Sequence, residues 1–182
     1  MSDALTIRLA VREDLAAIVA ISNLAAERTP ANFATEPEPE RQWLVTWEAT
    51  RAHHPWLVAV ERERVVAFAK SGPHRARGAY AWTAEVSVYV DPPAHGRGVG
   101  AALYARLIPL LRAQGYVTLL AGIATPNPAS ERLHEKVGFV RCGTYHRAGW
   151  KLGAWHDVGY WELHLRDGEA APAPVRPVAD VW

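Results

Sequence analysis

The spacing of apolar and polar residues along the chain changes between two periods. Apolar residues alternate with polar ones over residues 5–9 and again over residues 81–90, where Val86, Val88 and Val90 share one face. A period of two is typical of a β-strand with one face towards the core. Five more segments with strand-like character are residues 56–60, 65–69, 117–122, 140–150 and 156–165. The pattern therefore predicts seven strands.

Other segments repeat with the period of an α-helix. Three of the four predicted helices are residues 14–28, 40–53 and 128–137, and the fourth opens in a glycine-rich turn and runs to residue 114. Gly115 and Gly138 follow the last two helices, where a left-handed residue commonly ends a helix. The element order β-α-α-β-β-β-α-β-α-β-β predicts a mixed sheet with helices on its faces, in the α/β (α+β) class.

The length of 182 residues suits one domain, which we place at residues 1–166. Residues 167–182 contain Pro172, Pro174 and Pro177 among small residues. This composition predicts an extended tail that is only loosely attached to the domain.

Charge and composition exclude several classes of protein. Twenty Lys and Arg against nineteen Asp and Glu leave a net charge of +1, which argues against a nucleic-acid partner. The apolar runs are far shorter than the ~18 residues of a membrane span, and residues 1–6 do not resemble a secretion signal. Cys142, the single cysteine, cannot form an intrachain disulfide or a cysteine-based zinc cluster. We expect a cytoplasmic protein without a metal.

A glycine-rich turn joins the strongest predicted strand to a helix. Its sequence is His95-Gly96-Arg97-Gly98-Val99-Gly100-Ala101. Such a turn gathers backbone N–H groups at the positive end of a helix, where a pyrophosphate binds well, but it also occurs as a plain tight connection. No Gly-Lys-Ser/Thr follows, which excludes a Walker loop. A dinucleotide site needs an acidic residue at the end of the next strand, and residues 117–122 offer none.

Beyond this turn come a buried strand and the spacing Asn127-x-x-Ser130-x-x-x-His134, shortly before Gly-Phe. This order resembles the GCN5-related N-acetyltransferase (GNAT) superfamily. There a Gln/Arg-x-x-Gly-x-Gly/Ala signature binds the pyrophosphate of coenzyme A. The chain departs from that signature in its first residue, His95. The resemblance implies acetyl-CoA as cosubstrate and a mixed, mostly antiparallel sheet of six to seven strands flanked by about four helices.

Three further segments narrow the resemblance to the phosphinothricin and methionine sulfoximine N-acetyltransferase branch. They lie at residues 32–37, 75–85 and 149–159. The likeness covers roughly residues 5–166. It implies direct acetyl transfer to the amine of a small amino-acid-like substrate, and a homodimer.

The resemblance also assigns roles to individual residues. Glu85 is the expected general base, the alternative being a solvated glutamate on a strand. His134 stands where many relatives have a tyrosine that protonates the leaving thiolate, the alternative being a histidine on the helix surface. The expected cofactor-binding residues are the seven of the glycine turn together with Val88, Tyr89, Val90, Asn127 and Ser130.

The acceptor pocket is expected to combine charged and apolar groups. Arg75 and Arg77 would bind the anionic or polar head group through charge-assisted hydrogen bonds, although arginines in a loop are often merely solvated. Phe33, Tyr80 and Thr83 would line the rest, with Phe33 alternatively filling a packing gap. Two other functions stay open: an acetyltransferase of this fold for another amine, such as a polyamine, an antibiotic or a protein N-terminus, and a coenzyme A-binding module without turnover.

Overall fold

The computed structural model describes residues 4–167 and 170–182. The predicted tail therefore lies partly outside the described residues, at positions 168 and 169, as do residues 1–3 of the predicted domain. The seven strands are β1 (Thr6–Leu9), β2 (Trp56–Glu61), β3 (Arg64–Pro73), β4 (Thr83–Val90), β5 (Thr118–Thr125), β6 (Val140–Lys151) and β7 (Ala154–His164). The four helices are α1 (Leu15–Arg28), α2 (Glu40–Thr50), α3 (Val99–Gln114) and α4 (Pro128–Lys136). None of these helices is long and apolar enough to cross a bilayer.

One sheet contains all seven strands, in the order β1-β2-β3-β4-β5-β7-β6. Every neighbouring pair is antiparallel except β4 and β5, which are parallel. The predicted fold class, strand number and helix number are confirmed.

The main differences from the predicted elements concern two connections. β3 continues to Pro73, four residues beyond the predicted strand, because residues 70–73 pair with residues 84–87 of β4. The predicted five-residue turn after residue 150 is a two-residue loop, Leu152-Gly153, in which both residues have positive φ (50° and 76°). Such two-residue loops match the twist of a hairpin.

Apolar side chains fill both faces of the sheet. On one face the fully buried α3 residues Leu103, Leu107 and Leu111 pack over the central strands. On the other face Trp43 of α2 packs edge-on against Trp56 and Phe68, with ring centroids 5.7 and 6.0 Å away. The sheet is thus covered on both sides, and the site is formed where its central strands separate.

For the described residues 170–182 of the C-terminal segment, which include a short helix at Val178–Asp180, the prediction of loose attachment is wrong. Val178 is buried, and its N–H donates to the Ala52 carbonyl (2.8 Å). The buried Gln114 side chain at the end of α3 donates to the Arg176 carbonyl (2.9 Å). Trp82 donates to the Ala173 carbonyl (2.8 Å). These bonds fix the segment across the ends of α2 and α3.

Candidate active site

The central feature of the site is a fork between the two parallel strands. β4 and β5 pair only over residues 83–85 and 118–120, and the last pair is Glu85 with Leu120. Beyond it Val88, Tyr89 and Val90 lie on one side of a groove, and Gly122, Ile123 and Ala124 lie on the other. The described part of β4 remains paired to β3 over this stretch, so one edge of the strand faces the groove.

The glycine turn closes one end of the fork. Gly96 and Gly98 have φ of 73° and 78°, a left-handed conformation that side chains disfavour, and Gly98 is the residue before α3. A β-carbon on Gly100 would lie 3.0 Å from Leu133 Cδ2, so the third glycine lets α3 approach α4 closely. The first N–H groups of α3 lack partners within the helix and carry its positive end.

Two side chains of the turn point to neighbouring strands. His95 Nε2 lies 2.8 Å from the Val90 carbonyl, which fixes the turn to the end of β4. Arg97 forms two hydrogen bonds with the Glu61 carboxylate (2.5 and 3.1 Å), and this pairing raises the pKa of Arg97. Both side chains are bound to neighbouring strands and hold the turn in place. A ligand at these two residues would therefore contact their backbone N–H groups.

The groove between turn and fork has a volume of about 940 Å³ and a largely apolar wall. Its described lining includes the backbone of the turn, both arms of the fork, the end of α1 and the exposed face of α4. Arg28, Arg132 and Lys136 add positive charge at its rim. The groove is therefore long enough and suitably charged for an extended ligand that ends in phosphates.

Asn127 and Ser130 line the groove at the start of α4. The Asn127 side-chain oxygen accepts the Ser130 N–H (3.2 Å), and the Glu131 carboxylate accepts the Asn127 N–H (2.8 Å). Asn127 therefore caps the helix. With its oxygen used in the cap, any contact from Asn127 to a ligand would come from its Nδ2.

His134 is buried, with only 3% of its surface exposed, so the alternative of a surface histidine is wrong. Its Nδ1 lies 2.8 Å from the Ser130 carbonyl, which can only accept, so Nδ1 carries the proton. Its Nε2, 2.9 Å from the Tyr104 hydroxyl, is then the acceptor. Burial lowers the pKa of His134. The ring is thus held neutral with both nitrogens bonded, an arrangement that favours a packing role; its predicted role as general acid stays a prediction.

Glu85 stands at the vertex of the fork, with about half of its side chain exposed (53%). Its Oε1 lies 2.7 Å from Nδ1 of His74, the residue after β3. The Tyr80 ring meets the His74 ring edge-on at 5.1 Å. Burial is the main cause of the raised pKa of Tyr160 on β7; the charges of Tyr145 and Glu85 raise it further, and that of Arg75 lowers it. The structure therefore brings Glu85, His74, Arg75 and Tyr80 together, and Tyr160 stands beside Gly122 on the β5 side of the groove.

The other predicted acceptor residues take different positions. Phe33 packs against the β6–β7 hairpin, where a β-carbon on Gly149 would overlap its ring. Lys151 on the same hairpin donates to the Asn32 carbonyl, and this bond ties the loop between α1 and α2 to the hairpin. Thr83 is half-buried at the start of β4, and Arg77 is exposed just before the short helix Gly78–Tyr80. The contacts of Phe33 fit its alternative role as a packing residue.

Sequence reasoning missed His74 and Tyr160. His74 stands one residue before the segment that carries the family resemblance, and only the course of the loop turns it towards Glu85. Tyr160 comes from the opposite half of the sheet and reaches the groove through the pairing of β5 with β7. Neither residue belongs to a sequence motif with a fixed spacing to Glu85. The sequence alone therefore did not connect them with the site.

The fork, the glycine turn and α4 all lie within the part of the chain that matches a known family. The profile of the acetyltransferase (GNAT) family matches residues 18–139, two thirds of the chain. The chain belongs to this family and is an N-acetyltransferase.

Individual relatives support the narrower resemblance. A phosphinothricin N-acetyltransferase of Streptomyces viridochromogenes is 42% identical over 177 residues, which cover 96% of this chain and 95% of the relative. An L-methionine sulfoximine/L-methionine sulfone acetyltransferase of Salmonella typhimurium is 37% identical, with 92% and 98% covered. The crystal structure of a Sinorhizobium meliloti phosphinothricin acetyltransferase with acetyl-CoA superposes with a TM-score of 0.89, at 30% identity and 93% coverage of both chains. The predicted branch is confirmed.

Proposed function

We propose that this enzyme transfers the acetyl group of acetyl-CoA to the α-amine of a small amino acid with an anionic or strongly polar head group. The observation that carries the proposal is the position of Glu85. It is the only carboxylate among the described residues of β4, and it stands where the groove opens between β4 and β5. The names of the relatives support phosphinothricin or methionine sulfoximine as the type of acceptor.

The groove fits acetyl-CoA along its length. The backbone N–H groups of residues 96–101 are arranged to hold its pyrophosphate, and β4 offers Val88 to Val90 as partners for its amide-containing arm. Two solved relatives contain acetyl-CoA, which supports this choice of ligand. When bound, acetyl-CoA supplies the acetyl group as a thioester.

Glu85 is proposed as the general base. The amine of a free amino acid is mostly protonated at neutral pH and must lose a proton before it can attack a carbonyl carbon. The exposed Glu85 carboxylate accepts that proton directly or through a water molecule, and such base catalysis contributes about 10²–10⁴-fold. The C–N bond then forms as the C–S bond of the thioester breaks, and coenzyme A leaves as its thiol with the second proton of the amine on its sulfur. One proton per turnover passes through Glu85 to solvent.

The residues around Glu85 favour an anionic acceptor over a cationic one. Arg75 lies beside the His74 ring (3.4 Å from Nε to Nε2) and within the electrostatic reach of Tyr160, and Arg77 is exposed two residues later. These guanidinium groups would pair with the carboxylate or phosphinyl oxygens of the acceptor. A polyamine would meet the same positive charge and be repelled.

The β6–β7 hairpin supports the proposed homodimer. Its exposed aromatic and aliphatic residues are Val140, Tyr145, Trp150, Leu152 and Trp155, each at least half exposed. Charged or polar replacement of Trp150 should yield a monomer in light scattering while the circular dichroism spectrum stays that of the folded protein. A wild-type chain that is monomeric at all concentrations would exclude the dimer.

A thiol-release screen tests the whole proposal. The purified protein is incubated with acetyl-CoA and a panel of free amino acids, phosphinothricin, methionine sulfoximine and spermidine. We expect release of coenzyme A with the two analogues and not with spermidine. Binding of acetyl-CoA without thiol release on any amine would favour the non-catalytic binding module instead.

A further inference from the structure

We propose that His74 is a positioning residue for the reaction, which holds the Glu85 carboxylate in the orientation that accepts the proton of the amine. This inference rests on the proposed function of Glu85. It starts from the 2.7 Å contact between His74 Nδ1 and Glu85 Oε1, in which the histidine side chain is 16% exposed and the glutamate 53%. The histidine is therefore behind the carboxylate, and the carboxylate is the group that substrate can reach.

The hydrogen-bond partners of the imidazole determine its tautomer. Arg75 Nε lies 3.4 Å from His74 Nε2, and a guanidinium nitrogen can only donate. Nε2 is then the acceptor, so the ring proton of the neutral imidazole resides on Nδ1. The Nδ1–H donates to Glu85 Oε1, and the second carboxylate oxygen keeps its lone pairs for the amine.

The surroundings of His74 hold the ring in this orientation. Its edge-on contact with Tyr80 involves centroids 5.1 Å apart and an interplanar angle of 79°. Pro73 precedes it at the end of β3, whose pairing with β4 places Gly72 directly beside Glu85. The charged and titratable groups that face the pair are Arg75 from the same loop, Tyr80 from the short helix and Tyr160 from β7.

Without this bond the Glu85 side chain would sample several rotamers on an exposed strand position. A hydrogen bond to a charged group is strong enough for its loss to change a rate about ten- to hundredfold. His74 does not itself take the proton of the amine, because its Nδ1 is already protonated and its Nε2 is directed at Arg75.

Two substitutions separate positioning from proton transfer. His74→Phe keeps a ring against Tyr80 but has no donor, and we expect kcat for acetyl transfer to fall about ten- to hundredfold with the KM for acetyl-CoA unchanged. His74→Asn keeps an N–H close to the position of Nδ1 and should recover most of that loss. If His74→Asn is as slow as His74→Phe, the imidazole does more than donate to Glu85, and the proposal is wrong.

A double-mutant cycle supplies a second readout. In a Glu85→Gln background, His74→Phe should have little further effect on kcat, because His74 acts on the reaction only by orienting the Glu85 carboxylate. Additive losses would overturn the proposal, as would a His74→Phe enzyme with wild-type kcat.

Nitrogen NMR of the imidazole keeps the inference separate from the proposed activity. The wild-type spectrum should show the His74 proton on Nδ1, and Glu85→Gln should change that signal even if the correct acceptor amine has not been found. A wild-type protein that acetylates no amine would refute the proposed function but leave the hydrogen bond testable. An Nε2–H tautomer would refute the inference alone.

Discussion

Glu85 differs from the other carboxylates of the sheet in its position rather than in its chemistry. Glu162 lies in the same row of the sheet, two strands away, since both residues flank Leu120. Glu85 stands at the vertex of the fork, whereas Glu162 pairs with Val140 at the far side. A comparison of variants at Glu85 and Glu162 therefore tests whether the position at the fork gives a glutamate its role in catalysis.

We expect Glu85→Gln to lower kcat for the acceptor amine at least ~10²-fold, because the amide cannot take a proton at neutral pH. The affinity for acetyl-CoA should stay near the wild-type value, since the phosphates bind at the other end of the groove. Glu162→Gln is the matched control and should keep wild-type kcat. Steady-state thiol release and calorimetric titration of acetyl-CoA measure the two quantities; equal kcat in both variants would remove Glu85 from the mechanism.

Arg77 tests the acceptor side of the site. Arg77→Ala should raise the KM for an anionic acceptor more than it lowers kcat, by about tenfold, because a charge-assisted bond to the substrate is lost. Arg106, exposed on the far helix α3, gives the control variant Arg106→Ala with unchanged kinetics. A fall in kcat at constant KM would show that the head group binds elsewhere.

At the scale of elements, the β6–β7 hairpin packs closely at Gly159 as well as at Gly149. A β-carbon on Gly159 would lie 2.5 Å from Cζ3 and 2.8 Å from Cη2 of the fully buried Trp161. The indole is held in the core and cannot move aside without disturbing its neighbours. Gly143 lies on the neighbouring strand of the same hairpin, and a β-carbon there would meet no atom within 4 Å.

We therefore expect Gly159→Ala to destabilise the protein by about 2 kcal/mol, a typical cost of overpacking, and to lower the melting temperature by several degrees. Gly143→Ala should melt with the wild type. Thermal unfolding followed by circular dichroism measures both. Equal melting temperatures for the two variants would mean that the Trp161 side chain can shift to make space for the added methyl group, against this expectation.

Elements with strong local patterns were predictable from sequence. The alternation of Val86, Val88 and Val90 predicts β4, and the glycines before α3 predict a tight turn, because a period and a backbone conformation are local properties. The attachment of the C-terminal segment was not predictable, since its proline-rich composition is also that of a free tail. Its burial depends on partners such as Gln114, which lie ~60 residues away in sequence.

The site was predictable only in part for the same reason. The resemblance identified Glu85, but the fork depends on where the pairing of two distant strands ends, and the contact with His74 depends on the path of a loop. The buried hydrogen bond between His134 and Tyr104 joins two helices, and no local sequence pattern around either residue indicates this contact. Long-range pairing and loop conformation thus account for what sequence reasoning missed.

At the scale of the whole molecule, the partly buried His54 and the buried His134 make stability depend on pH. Burial, with a smaller contribution from His53, lowers the pKa of His54 to about 4, and burial also lowers that of His134. The unfolded chain binds these protons near pH 6.5, before the folded chain does. The stabilising contribution of the neutral His54 ring is therefore complete above about pH 6.5 and is lost as the pH falls towards about 4.

Acidification from about pH 7 to about pH 5 should thus cost the wild type ~1 kcal/mol through His54, after allowance for its partial solvent contact. His54→Gln carries no titrating ring and should show a shallower fall in melting temperature over that interval. Melting curves at several pH values measure the difference. Parallel curves for the two proteins would mean that His54 titrates alike in both states.

The fork has a mechanical consequence for the molecule as a whole. It divides the sheet into a half with β1 to β4 and a half with β5 to β7, and the two halves share a seam of three residue pairs. Whatever lies in the groove touches both halves at once. The free energy of cosubstrate binding therefore adds to the free energy needed to separate the two halves of the sheet. The two halves are held together more strongly in the cosubstrate complex than in the free enzyme.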